Sequence, residues 1–247
     1  MKKLLIFIGT IFISTFAIAH TIEWYVGDSL LSTTTCSSGD SITPPTAPAK
    51  YGYTFDKWDV PYTKLEYIEA TGTQWIDTGV SIAGGNIIEA KVLPVNGQAF
   101  IGNVGSNFNA TRNLVQYSND RYFYQKLNNY HNDFFDDGTT PAIVYLNTIG
   151  TTFYGTCNGN TAVDTTTGVL QDYQLTVKIS KYDYTNTMFS GRYYWVKISD
   201  STGLLVRNLV PVRAPDSTIG MYDTVTNTFF ENAGTGTFIA GPEIGDL

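Results

Sequence analysis

Between Asn113 and His131, five aromatic rings, Tyr117, Tyr122, Phe123, Tyr124 and Tyr130, are interleaved with Asn119, Asp120, Arg121, Gln125, Asn128 and Asn129. Flat rings stack on the C–H faces of sugars while amides and acids bond their hydroxyls, so the stretch holds both ingredients of a saccharide site. The same alternation would also suit rings that fill a core while their polar neighbours face water. In an extended strand Tyr122 and Tyr124 share one face and Phe123 takes the other. A buried tyrosine must satisfy its hydroxyl, which leads us to expect the tyrosines outward. The candidate ligand-binding residues are Tyr117, Tyr122, Tyr124, Tyr130 and Asn128.

Just downstream, Asn132-Asp133-Phe134-Phe135-Asp136-Asp137-Gly138 gathers carboxylates at Asp133, Asp136 and Asp137, and Asp164 or Asp172 could add an oxygen. Calcium takes such oxygen sets, so it is the cofactor this stretch suggests. The D-x-D-x-D-G spacing of a calcium loop is absent, and a solvated acidic loop accounts for the same residues. Cys36 and Cys157 could form a disulfide in an oxidising compartment. Their wide separation, with no dense cysteine framework around them, speaks against the bridge and for two separate thiols.

Catalytic constellations are harder to find. The chain has two histidines, His20 and His131, and a Ser-His-Asp triad could use only the second. Neither G-x-S-x-G nor H-E-x-x-H occurs, and no catalytic residues are assigned.

The elements that must position these residues read as short strands. Runs of β-type residues recur at Gln74–Val80, Ile87–Leu93, Ala99–Gly102, Asn113–Tyr117, Arg121–Gln125, Ile143–Asn147, Thr152–Cys157, Leu175–Ile179, Tyr193–Ser199, Leu204–Val212, Ile219–Tyr222 and Thr228–Phe230, with turn residues between nearly all of them. Asn158-Gly159 predicts a tight hairpin, because a type I′ turn needs positive φ at both central residues. Ser201-Thr202-Gly203 predicts another, with Tyr194, Val196 and Ile198 sharing one face and Leu204, Val206 and Val210 sharing another. No segment keeps a 3.6-residue period, so the fold class is all-β, an antiparallel sandwich.

The first residues, MKKLLIFIGTIFISTFAIAH, join two lysines to an apolar run and the small triplet Ala17-Ile18-Ala19. This predicts a signal peptide cleaved after Ala19, and secretion by the general route to the medium or the envelope. A run of about 15 apolar residues is short for the roughly 20 that span a bilayer. No membrane span is expected after cleavage. Lys2 and Lys3 leave with the leader, so the 15 basic residues become 13 against 22 acidic ones, a charge of −9. Nucleic acid, which needs clustered positive charge, is a poor partner for such a chain. The partners expected are a glycan or an extracellular, cell-surface protein. The C-terminal GPEIGDL carries neither a sorting signal nor an apolar tail, so release or non-covalent retention is expected.

Two segments carry a family resemblance. YIEATGTQWIDTG at Tyr67–Gly79 and the block from Gly191 to Pro242 together resemble concanavalin A-like, laminin-G-like β-sandwich domains of bacterial surface and phage structural proteins. In the closing block Gly220, Tyr222, Asp223, Phe229, Asn232, Gly234, Thr235, Gly236, Phe238, Gly241 and Pro242 follow the pattern. The resemblance implies that the first and last strands of the domain lie side by side. Upstream, Pro44, Pro45 and Pro48 followed by GYTFDKW at Gly52–Trp58 resemble one Listeria-Bacteroides, or internalin-type B, repeat. The organisation expected is a signal peptide at 1–19, a repeat-like module at 20–61 and a sandwich at 62–247.

The function that these resemblances imply is a secreted, non-enzymatic recognition or adhesion protein. One alternative is a structural or assembly protein of the envelope or of a phage-like particle. A second is a glycoside hydrolase of the concanavalin A-like class, which would need paired acids in an E-x-D-x-x-E run. Glu66 and Glu69 lie near the domain edge and Glu89 stands beside Lys91, so no run matches.

Overall fold

At Asn158 and Gly159 the backbone takes φ of +47° and +85°, the left-handed pair that a two-residue hairpin turn requires, and the chain folds back there. The same economy of turns runs through the molecule. The computed structural model describes residues 20–26, 29–36, 45–46, 48–49, 51–52, 54, 62–105, 113–127, 129–165, 170–171 and 174–247, and every regular element among them is a strand. No helix among the described residues is long and apolar enough to cross a membrane. The leader at 1–19 lies outside them. The chain divides into two compact units, Met1–Tyr62 with Ala214–Ser217, and Thr63–Arg213 with Thr218–Leu247.

In the first unit β1 (His20–Val26) and β2 (Ser29–Cys36) form an antiparallel hairpin with a register shift between Trp24 and Tyr25. The indole of Trp24 donates to Thr34 Oγ1 at 2.8 Å across the pair. Most of GYTFDKW falls outside the described residues.

The second unit runs β3 (Thr63–Leu65), β4 (Ile68–Thr71), β5 (Ile76–Ser81), β6 (Ile87–Leu93), β7 (Ala99–Asn103), β8 (Asn113–Ser118), β9 (Arg121–Lys126), β10 (Asn129–Phe135), β11 (Ala142–Asn147), β12 (Thr152–Cys157) and β13 (Asn160–Thr165). It continues with β14 (Thr176–Ile179), β15 (Lys181–Tyr182), β16 (Thr187–Met188), β17 (Ser190–Ser199), β18 (Leu205–Arg213), β19 (Ile219–Asp223), β20 (Thr228–Phe230), β21 (Ile239–Ala240) and β22 (Glu243–Asp246). One sheet has the order β10-β9-β8-β7-β14-β5. The larger sheet has the order β13-β12-β11-β6-β17-β18-β19-β20, with β4 added to β17, β3 to β18, β21 to β4 and β22 to β3. Pairing is antiparallel throughout.

Alternation explains the core. Ile88, Ala90 and Val92 of β6, Val144 and Leu146 of β11, and Val196 and Ile198 of β17 turn one face of the large sheet inward. They meet Ile101, Val115, Tyr117, Tyr122, Tyr124 and Ile179 from the smaller sheet in a single cluster. The outer side of the smaller sheet carries a second, smaller cluster of Phe100, Val104, Leu114 and Phe189, with Tyr182 packed against it.

The two ends of this unit are bonded to one another. Ala240 pairs with Ile68 and Glu243 with Leu65. Gly241 N donates to Tyr67 O at 2.9 Å, and Ala233 N donates to Trp75 O at 2.9 Å. The Asn232 side chain accepts from Trp75 N at 3.1 Å and from Gly234 N at 2.8 Å, so it holds a turn and the opening segment together. Asp223, wholly buried, accepts from Asn208 N at 2.8 Å and from Thr226 Oγ1 at 2.6 Å. One expectation about facing fails at the hairpin after β17. Leu204 is exposed at its tip, and Val210 lies on the outer face rather than in the core.

Candidate functional site

The tyrosines expected to face outward face inward. Tyr117, Tyr122 and Tyr124 are 1%, 0% and 0% exposed and belong to the main core. The reason lies in the width of the sandwich. A tyrosine is long enough to cross it, and for Tyr124 the far sheet offers a backbone acceptor to the hydroxyl. Tyr124 on β9 donates to Thr156 O on β12 of the opposite sheet. Gly155 makes this crossing possible, because a Cβ there would lie 2.5 Å from the Tyr124 ring. Tyr117 donates to Asp136 O at 2.8 Å. From the other side Tyr193 donates to Phe100 O at 3.1 Å and accepts from Phe100 N at 3.2 Å. Only the Tyr122 hydroxyl, of these, is buried with no hydrogen-bond partner. The three tyrosines therefore present no ring to a ligand. Asn128 and the side chain of Tyr130 lie outside the described residues.

The acidic stretch is held by its own turn. Asp136 accepts from Gly138 N at 2.8 Å through one oxygen and from Asn158 Nδ2 at 3.3 Å through the other. Asp137 accepts from Thr139 N at 3.0 Å and from its hydroxyl at 2.7 Å, bonds that hold its carboxyl below the usual range. The Asp133 side chain lies outside the described residues, among which no three metal-capable side chains converge. Cys157 is a free thiol buried in the core. Burial, with Asp136 close by, pushes the thiol up to about 12. The Cys36 side chain lies outside the described residues.

The side chains that do face an open concavity belong to the outer face of the large sheet. A groove of about 570 Å³ lies over β6, β17, β18, β3 and β22, lined by Lys64, Leu65, Glu66, Lys91, Tyr194, Trp195, Lys197, Asn208, Val210, Pro211 and Ile244. A β-bulge creates its aromatic wall. Tyr193 pairs with Val92 and Trp195 with Lys91, so Tyr194 is the extra residue between two successive partners on β6. Tyr193 consequently joins Val196 and Ile198 in the core, while Tyr194 and Trp195, neighbours in sequence, both line the groove.

Cations stand over these rings. Lys91 Nζ is 4.8 Å from the Tyr194 centroid and Lys197 Nζ is 4.9 Å from that of Trp195. Next to them the Arg192 guanidinium lies 4.7 Å from the Tyr67 ring, which packs against Tyr194 with centroids 5.4 Å apart. Such contacts contribute about 0.5–1 kcal/mol each at exposed sites, and they fix the rings' orientation. Arg192 donates to Glu69 at 2.6 Å, and Lys197 donates to Glu89 at 3.3 Å. One strand further out, Tyr145 stands opposite Glu89 and stacks on Tyr154 with centroids 5.2 Å apart and planes 26° from parallel.

Sequence reasoning missed this face because alternation alone places Tyr194 with Val196 and Ile198. A bulge shifts that parity by one, and the YYW triplet was the signal that could have raised the question. Set against models of known protein families, the chain matches none, and no curated protein matches it.

Proposed function

We propose that the protein is a secreted, non-enzymatic recognition module in which the groove over β6 and β17 holds a saccharide. The observation that carries this reading is the bulge that turns Trp195, half-buried, and Tyr194, only 9% exposed, to the same outer face, beside Asn208 and three lysines. Aromatic walls supply area for the apolar face of a sugar ring, and the amide and ammonium groups bond its hydroxyls. The sandwich architecture and the residue pattern of Gly191 to Pro242 fit the laminin-G-like class, and the apolar leader fits export. Fold alone never assigns a ligand, so the groove is where the reading is tested.

The test is a glycan array probed with the purified protein and with Trp195→Ala. Selective retention by the native protein, lost in a variant whose melting temperature is unchanged, is the expected result. Retention that survives Trp195→Ala overturns the assignment to this groove. A blank array from folded protein overturns saccharide recognition itself and moves the partner to a protein surface.

A further inference from the structure

We propose that the groove selects an acidic saccharide, one that carries a carboxylate, and that Lys64 and Lys91 make the selection. The inference rests on the recognition reading above and narrows its ligand class.

Several cations elsewhere in the second unit are paired with carboxylates, although buried Lys126 donates to Gly150 O instead. Arg192 has Glu69, Lys197 has Glu89, Arg207 lies 3.7 Å from buried Asp223, Arg213 has Glu243, and Lys178 and Lys181 share Asp183. Among the described residues neither Lys64 nor Lys91 has a carboxylate within ion-pair distance, and both line the groove. The groove holds Lys64, Lys91 and Lys197 on its wall, against Glu66 on the same wall and the Glu89 that pairs with Lys197. Among the described side chains the groove is therefore positive by one charge, in a chain whose formal charge is −7. A protein of that sign gains nothing in solubility from a local positive patch, whereas an anionic ligand gains a destination.

Geometry sets where the carboxylate sits. Lys91 stands directly opposite Trp195 in the ladder, one strand spacing away, or about 5 Å. A ring stacked on Trp195 thus carries its ring substituents to the Lys91 ammonium, whose approach is already fixed over Tyr194. That ammonium gives an ion-paired hydrogen bond to a carboxylate and only an ion–dipole one to a hydroxyl.

Matched pairs decide the matter: an oligogalacturonate with its carboxyl-reduced form, and a sialylated glycan with its desialylated form. Each is titrated against native protein, Lys91→Gln and Lys64→Gln, with melting temperature as the fold check. We expect at least one acidic member to bind about tenfold or more tighter than its neutral twin. Lys91→Gln should erase most of that difference, lowering the acidic member's affinity far more than its neutral twin's. Equal affinity within both pairs overturns the inference and leaves saccharide recognition standing. Preference for a sulfated or phosphorylated glycan over every carboxylated one also overturns it. No binding of any member by folded protein overturns both readings together.

Discussion

Gly155 lets a tyrosine cross the sandwich. A side chain there would meet the Tyr124 ring at 2.5 Å, and Tyr124 has no slack because its hydroxyl is tied to the backbone of β12. Gly155→Ala is predicted to destabilise the protein by about 1–3 kcal/mol through overpacking, a fall of several degrees in melting temperature. Tyr122→Phe is the matched control within the same cluster. It removes a hydroxyl that is buried without a partner, so it is predicted to leave the melting temperature unchanged or to raise it. Thermal denaturation of the two variants side by side checks both. The facing of these tyrosines was not legible in the sequence. Where the Tyr124 hydroxyl goes depends on Thr156, 32 residues away on another sheet, and local alternation carries no information about it.

The β-bulge in β17 is the element on which the groove depends. Because Tyr194 is the extra residue, deleting it restores regular alternation and leaves Tyr193 inward and Trp195 outward in their present registers. The deletion variant is predicted to fold, with far-UV circular dichroism like that of the native protein, and to lose at least tenfold in glycan affinity. Loss of fold in that variant, or full affinity, would contradict this view of the element. The turn at Asn158-Gly159 was legible for a local reason, since few residues other than Asn and Gly tolerate the left-handed φ that it needs. Strand positions were legible on similar grounds, and most expected runs coincide with strands of the second unit. The bulge was not, because a one-residue slip is defined by the partner strand and not by the strand itself.

At the scale of the molecule, the all-β class follows from many short β-type runs with frequent turns and no helical period. The closing segment is bonded to the opening one through Asn232, Ala233 and Gly241, which ties the two most patterned parts of the sequence into one edge of the large sheet. The site was not legible at this scale. It is assembled from β3, β6, β17, β18 and β22, whose residues are spread from Lys64 to Ile244 and converge only when the sheet is built. The stretch richest in ring-and-amide chemistry, Asn113 to His131, instead supplies Tyr117, Tyr122 and Tyr124 to the core. The most direct measurement is hydroxyl-radical footprinting of the native protein with and without its best array glycan, read by mass spectrometry at each aromatic residue. The account predicts ligand-dependent protection at Tyr194 and Trp195 with Tyr117, Tyr122 and Tyr124 unchanged, whereas protection confined to peptides outside the groove would contradict it.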